Sequence, residues 1–97
     1  MLITTNYIFL ETTALAQHRL GMAAVQDLQE NIFPLFSVEW VGEAFHHTGV
    51  AALLTANRRQ LSLVDCTSFE VCRRLGIQQV FSFDQHFVEQ GFVLLVR

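Results

Sequence analysis

Two short acidic segments near the end of the chain each place one aspartate among apolar residues. They are LSLVDCTSF, residues 61–69, and VFSFDQHF, residues 80–87, and their acids are Asp65 and Asp84. A carboxylate in apolar surroundings is costly to desolvate unless a hydrogen-bond donor or a metal ion compensates for the lost water. Both segments therefore predict a polar partner for their aspartate.

The predicted elements bring these acids toward one edge of a sheet. Asp84 directly follows a predicted buried strand, and Asp65 lies in the first turn of a predicted helix. Glu11 lies little more than one turn into the first helix, after the strand MLITT. Ligands of open parallel sheets bind where strands end and helices begin. We therefore expect the three carboxylates to converge there and to hold Mg²⁺ or Mn²⁺, which prefer carboxylate oxygens.

Each acid also has a purely structural interpretation. Asp65 stands three residues after Ser62, so SLVD is also the pattern of a capping box. Asp84 is a suitable N-cap for a short helix that follows it. Glu11 is also consistent with a solvated helix residue. Spacing alone does not separate these roles from that of metal ligand.

Other catalytic arrangements fit the sequence less well. His46 and His47 are adjacent and point to different faces of a helix, so one site cannot easily use both. His86, two residues after Asp84, is placed to orient a phosphate or a water, or else to be a half-buried histidine bonded to backbone. Serine triads and phosphate-cradling glycine loops have no matching pattern. The absence of lysine argues against a phosphorylated receiver domain.

Composition limits the possible partners and the compartment. The 97 residues carry a net charge of −3, with six arginines and no lysine, so no broad cationic face is available for nucleic acid. The arginine pairs 58–59 and 73–74 are either solvated helix ends or local phosphate contacts. Cys66 and Cys72 are six residues apart on one predicted helix, which does not suit a disulfide. Free thiols, with no targeting segment or membrane span in the sequence, predict a soluble cytoplasmic protein.

Strand and helix signals alternate along the chain. Asn6 is a plausible cap for the first helix and Gly21 its stop, while Pro34 ends the second helix. Strands separated by helices predict an α/β fold with a parallel sheet and right-handed crossovers, built as one domain over residues 1–97. The predicted strands are 1–5, 35–41, 79–83 and 92–96, and the predicted helices are 7–20, 22–33, 43–57, 63–75 and a short one at 85–90.

Three segments carry a family resemblance. TTNYIFLETTALAQHRLG, LSLVDCTSFEVCRRLGI and VFSFDQHFVEQGF resemble, in order and spacing, the second, third and fourth acidic segments of PIN-domain proteins, specifically the VapC-like toxin ribonucleases. The resemblance covers nearly the whole chain. It implies that Glu11, Asp65 and Asp84 are three of the four acids that bind Mg²⁺ or Mn²⁺. Supporting polar residues would be Thr5, Asn6, Ser62 and His86.

The resemblance also implies a reaction, an architecture and partners. The expected activity is metal-dependent hydrolysis of RNA phosphodiesters by a toxin of a toxin–antitoxin system. The expected fold is a three-layer α/β sandwich around a central parallel sheet. An antitoxin that covers the site and a homo-oligomer are the expected protein partners.

The sequence departs from the family at its beginning. PIN domains open with an apolar strand that carries an aspartate and lies in the centre of the sheet, in the order 3-2-1-4-5, and this sequence starts after that strand. We expect an N-terminally truncated fold, closed either by direct pairing of the neighbouring strands or by strand exchange in a dimer. A non-catalytic PIN domain that serves as an interaction module is the alternative function.

Overall fold

The computed structural model describes residues 2–77, 79–80 and 93–94, the last two segments by their backbone. The chain divides into two compact units, residues 1–41 and 42–97. Each described strand pair is parallel, and helices connect the strands of the first pair. The elements are β1 (Leu2–Thr5), α1 (Asn6–Leu20), α2 (Met22–Asp27), β2 (Phe36–Glu39), α3 (Glu43–Ala56), α4 (Leu63–Leu75), β3 (Gln79–Val80) and β4 (Val93–Leu94).

The first unit is built on the parallel pair β1–β2, in which Leu2 lies opposite Phe36 and Thr5 opposite Glu39. The α1 helix follows β1 directly and ends at Gly21, as predicted. Gly21 has a φ of 89°, and its N–H donates to the carbonyl groups of the last turn of α1. A residue with a side chain rarely adopts this φ, which explains why glycine ends the helix here.

The predicted helix over 22–33 is wrong in its second half. Regular α-helix ends at Asp27, and the chain continues as a π-helical turn, Leu28–Ile32, and a 3₁₀ turn, Phe33–Leu35. Pro34 lacks the N–H that a further α-helical turn would need. The altered winding places the Phe33 ring against that of Phe9 on α1, with 3.7 Å between ring centroids.

The second unit contains the helix pair α3 and α4. The bounds of α4 match the prediction, with Ser62 as N-cap and Gly76, in the left-handed region at φ 69°, as its end. Buried Leu61 and Phe69 form a small core. Gly49 is the buried residue of α3, and Ala56 near its end is exposed.

The last two strands pair in parallel, with Gln79 opposite Val93 and Val80 opposite Leu94. In the family's numbering the missing strand is strand 1, so β1 and β2 correspond to strands 2 and 3, and β3 and β4 to strands 4 and 5. Both observed pairs are therefore neighbours in the order 3-2-1-4-5. The predicted short helix at 85–90 and the outer parts of both predicted strands lie outside the described residues. The α/β class is confirmed; the three-layer arrangement, the missing central strand and the single domain over 1–97 stay predictions. No helix in the described part of the chain is long and apolar enough to cross a membrane.

Candidate functional site

Thr5 fixes the start of α1. It is the N-cap of the helix and only 3% exposed, and its Oγ1 accepts a hydrogen bond from the N–H of Ile8 at 3.2 Å. This bond satisfies one of the backbone donors that the first turn of a helix leaves without a partner. Thr5 thereby anchors, at the carboxyl end of β1, the helix that carries Glu11.

The sequence suggested Asn6 as the cap of α1, and this prediction is wrong. Thr5 is the N-cap, and Asn6 is already helical. Its side chain instead bonds to both backbone groups of Val41. The Val41 N–H donates to Asn6 Oδ1 at 2.6 Å, and Asn6 Nδ2 donates to the Val41 carbonyl at 3.4 Å. This pair of bonds, the Asn6 clamp, joins the start of α1 to the segment that follows β2. No local pattern reveals it, since the partners are 35 residues apart.

Glu11 lies on the second turn of α1, about 7.5 Å along the helix axis from Asn6. It is exposed. An exposed carboxylate keeps its hydration in the free protein, so a cation or a substrate can reach it without a prior desolvation cost. Exposure is consistent with both interpretations of this residue, solvated glutamate and metal ligand.

Ser62 and Asp65 form the predicted capping box at the start of α4. The Asp65 N–H donates to Ser62 Oγ at 3.0 Å, and the Ser62 N–H donates to Asp65 Oδ2 at 3.1 Å. A carboxylate has two oxygens and about four acceptor positions, so it can close a cap and also face other partners. Capping and cation binding are therefore compatible roles for Asp65.

Asp84 and His86 lie outside the described residues. Among residues 2–77, 79–80 and 93–94, no group of three or more His, Cys, Asp or Glu side chains is arranged to hold a metal ion. The predicted set includes Asp84, so the convergence of the three carboxylates stays a prediction.

Cys66 and Cys72 are free thiols, as predicted. Burial raises the pKa of Cys66, and the negative charges of Asp65 and Glu70 raise it further. Burial also raises the pKa of Cys72, against a smaller opposite effect of Arg73. Both thiols are therefore protonated at neutral pH and are poor nucleophiles. Their environment does not favour thiolate chemistry next to Asp65.

Similarity to known proteins decides the family. The 23S rRNA-specific endonuclease VapC20 of Mycobacterium tuberculosis, in strains CDC 1551 and H37Rv, is 34% identical over 94 residues, which are 96% of this chain and 72% of the relative. The crystal structure of Mycobacterium tuberculosis VapC20, described as a sarcin–ricin loop cleaving toxin, has a TM-score of 0.83 and 33% identity over 94% of this chain and 71% of that one. The chain belongs to the VapC-like PIN-domain toxin ribonucleases. No family model matches the sequence.

The donor atoms suit the cation expected for a VapC protein. Glu11 and Asp65 offer carboxylate oxygens, which hard divalent cations such as Mg²⁺ and Mn²⁺ prefer over nitrogen or sulfur. Glu11 is exposed and Asp65 only partly buried, so neither is sealed in the apolar core. The chemistry of the described donors therefore fits such an ion.

The two arginine pairs of this VapC chain lie at opposite ends of α4. Residues 58–59 belong to the short connection before Ser62, where the Leu61 N–H donates to the Arg58 carbonyl at 3.1 Å. They lie close in sequence to Asp65. Residues 73–74 lie in the last turn, where Arg73 Nη1 is 3.2 Å from Glu70 Oε1 and the Arg74 guanidinium lies 5.1 Å from the Phe45 ring centroid. Arg73 and Arg74 therefore contact side chains of α4 and α3, respectively.

Proposed function

We propose that this chain is a metal-dependent endoribonuclease toxin of the VapC type and that it hydrolyses 23S rRNA at the sarcin–ricin loop. The observation that carries the proposal is 34% identity, over 96% of the chain, to a 23S rRNA-specific endonuclease. The positions of Glu11 and Asp65 support it, since each lies near the start of a helix and neither is sealed in the core.

In this proposal Glu11, Asp65 and Asp84 hold Mg²⁺ or Mn²⁺. When bound, the cation would lower the pKa of the attacking water and neutralise charge on the scissile phosphate. Thr5 and Ser62 fix the starts of the two helices that carry Glu11 and Asp65.

His86 and the Asn6 clamp complete the proposed machinery. His86 orients a phosphate or a water, and the clamp holds the backbone beside the first turn of α1. We extend the proposal to a three-layer sandwich around the parallel strands, a homo-oligomer, an antitoxin partner and a cytoplasmic location.

The test is cleavage of a sarcin–ricin loop RNA hairpin with Mg²⁺ or Mn²⁺, compared with the same reaction in EDTA. We expect cleavage only with the metal. Glu11→Gln and Asp84→Asn should each lower the rate at least about 100-fold, because each removes a charged ligand.

Glu30→Gln is the matched control, since Glu30 is also an exposed glutamate of residues 1–41, and its Oε1 accepts a hydrogen bond from Gln26 at 3.0 Å. Its rate should equal that of the native chain. Equal background cleavage by the native chain and by Asp84→Asn would end the enzyme proposal and favour the non-catalytic alternative.

A further inference from the structure

Trp40 is the single tryptophan of the chain, and it is 71% exposed. Tryptophan side chains are highly buried on average. An exposed tryptophan therefore calls for a functional explanation more than an isolated exposed leucine does. Between residues 36 and 53, Trp40 is the one large hydrophobic side chain that is exposed. It is flanked by half-buried Glu39 and buried Val41, and exposed Gly42 follows.

The backbone on both sides of Trp40 is held in place. Glu39 pairs with Thr5 in the parallel ladder, and Val41 is held by the two bonds of the Asn6 clamp. A large aromatic side chain on a fixed backbone loses little conformational entropy when a ligand packs on it. Trp40 is therefore a preorganised contact surface.

Its position is the ligand-binding end of the strand pair. Trp40 directly follows β2, at the carboxyl ends of two parallel strands, where ligands of such sheets bind. The same end carries the start of α1, because Asn6 bonds to the residue after Trp40. Glu11 follows on α1, within the same unit of residues 1–41.

We propose that Trp40 is a substrate-positioning residue on which an unpaired base of the RNA stacks. This inference rests on the proposed ribonuclease function. Proteins recognise RNA loops largely by stacking splayed bases on aromatic side chains, and the stacking contact itself is made without a charged side chain. A chain with a net charge of −3 and no lysine gains little attraction for a polyanion from its overall charge, which favours such a contact. An aromatic anchor for a partner protein is the competing role of an exposed tryptophan.

Because Trp40 is the single tryptophan, its intrinsic fluorescence reports the contact directly. The probe is the sarcin–ricin loop hairpin, titrated into the full chain carrying Glu11→Gln so that the RNA stays intact. We expect quenching that saturates with the RNA. A DNA duplex of the same length, which offers no splayed base, should quench little.

Substitutions then test the role in the reaction. Trp40→Leu should raise KM for hairpin cleavage about 10-fold with a smaller change in kcat, and Trp40→Phe should restore most of the loss, because a phenyl ring also stacks. Leu35→Ala is the control: Leu35 is 67% exposed at the opposite end of β2, and its loss should leave KM unchanged.

If the native chain does not cleave the hairpin, the proposed function itself fails. If it cleaves the hairpin while the RNA causes no quenching and Trp40→Leu keeps the native KM, the stacking role is overturned and the function stands. A Trp40→Leu chain that keeps its KM but changes its oligomeric state in light scattering would also overturn the proposal, in favour of a protein contact.

Discussion

Asp65 has an observed structural role and a proposed chemical one. Its carboxylate closes the capping box with Ser62, and the proposed function also makes it a metal ligand. The two roles make different demands, because the cap stabilises α4 whether or not a cation binds. Variants that remove only one of the two roles therefore distinguish them.

Ser62→Ala removes the hydroxyl acceptor of the cap and leaves the Asp65 carboxylate in place. We expect the free energy of unfolding to fall by about 1 kcal/mol, measured by urea titration, with a much smaller effect on RNA cleavage than that of Asp65→Asn at temperatures where the chain is folded. Asp65→Asn should cost similar stability and also lower the cleavage rate at least about 100-fold. If Asp65→Asn keeps the activity of Ser62→Ala, Asp65 is a cap alone.

Asn6 shows why sequence reasoning finds some site residues and misplaces others. The capping box at Ser62 and Asp65 was predictable, because its donors and acceptors lie within four consecutive residues. The partner of Asn6 is the backbone of Val41, and backbone groups leave no mark in the sequence. The local sequence suggests only the role of cap for its polar side chain, and Thr5 fills that role.

The α3 and α4 helices approach closely at Gly49. A Cβ atom at this position would overlap Cγ2 of Thr67, which is fully buried. The Thr67 rotamer is held by its own hydroxyl, which donates to the carbonyl groups of Leu63 and Val64 at 2.9 and 3.0 Å. The contact therefore has little room to relax.

Gly49→Ala should destabilise the fold, although alanine is the better helix former. The gain in helix propensity is about 1 kcal/mol, and overpacking a close helix contact costs about 1–3 kcal/mol. We expect a net loss of about 1 kcal/mol in the free energy of unfolding. The matched control is Gly49→Ala in a Thr67→Ser chain, which lacks the Cγ2 atom that the added Cβ would overlap, and there the substitution should cost less. A Gly49→Ala chain as stable as the native one would contradict the close packing.

Helix and strand bounds were predictable where a single residue type fixes them. Gly21 and Gly76 end α1 and α4 because their left-handed or extended positive-φ conformations suit glycine. The π-helical turn at Leu28–Ile32 was not predictable, since its apolar spacing also suits an ordinary helix and the difference depends on the packing of the Phe33 ring. The exposure of Trp40 is not predictable from the apolar alternation of Phe36, Val38 and Trp40 either, because this pattern continues past the end of β2 at Glu39.

Charge limits how the chain as a whole can bind RNA. With a net charge of −3, attraction to phosphate must come from local groups, and the arginines at 58–59 are the pair close in sequence to Asp65. The pair at 73–74 lies about 12 Å farther along α4 than Asp65, and it contacts Glu70 and Phe45. The two pairs form a natural comparison, with equal charge at opposite ends of one helix.

Replacing Arg58 and Arg59 together by glutamine should raise KM for RNA cleavage about 10-fold at low salt and make binding less dependent on salt concentration, since fewer counterions are released. The matched double replacement of Arg73 and Arg74 should lower stability slightly and leave the salt dependence unchanged. Binding isotherms at several salt concentrations measure the salt dependence of each variant. If both variants keep the salt dependence of the native chain, neither pair is a phosphate contact.

The Asn6 clamp also has a consequence for the order of folding. Its two partners are 35 residues apart, and the strands it adjoins pair Leu2 with Phe36, so neither contact can form before a long loop has closed. Closing that loop costs chain entropy, which α1 and α2 reduce because they shorten the flexible chain between the strands. The clamp therefore belongs to the late, non-local contacts of folding, and losing it should speed unfolding more than it slows folding.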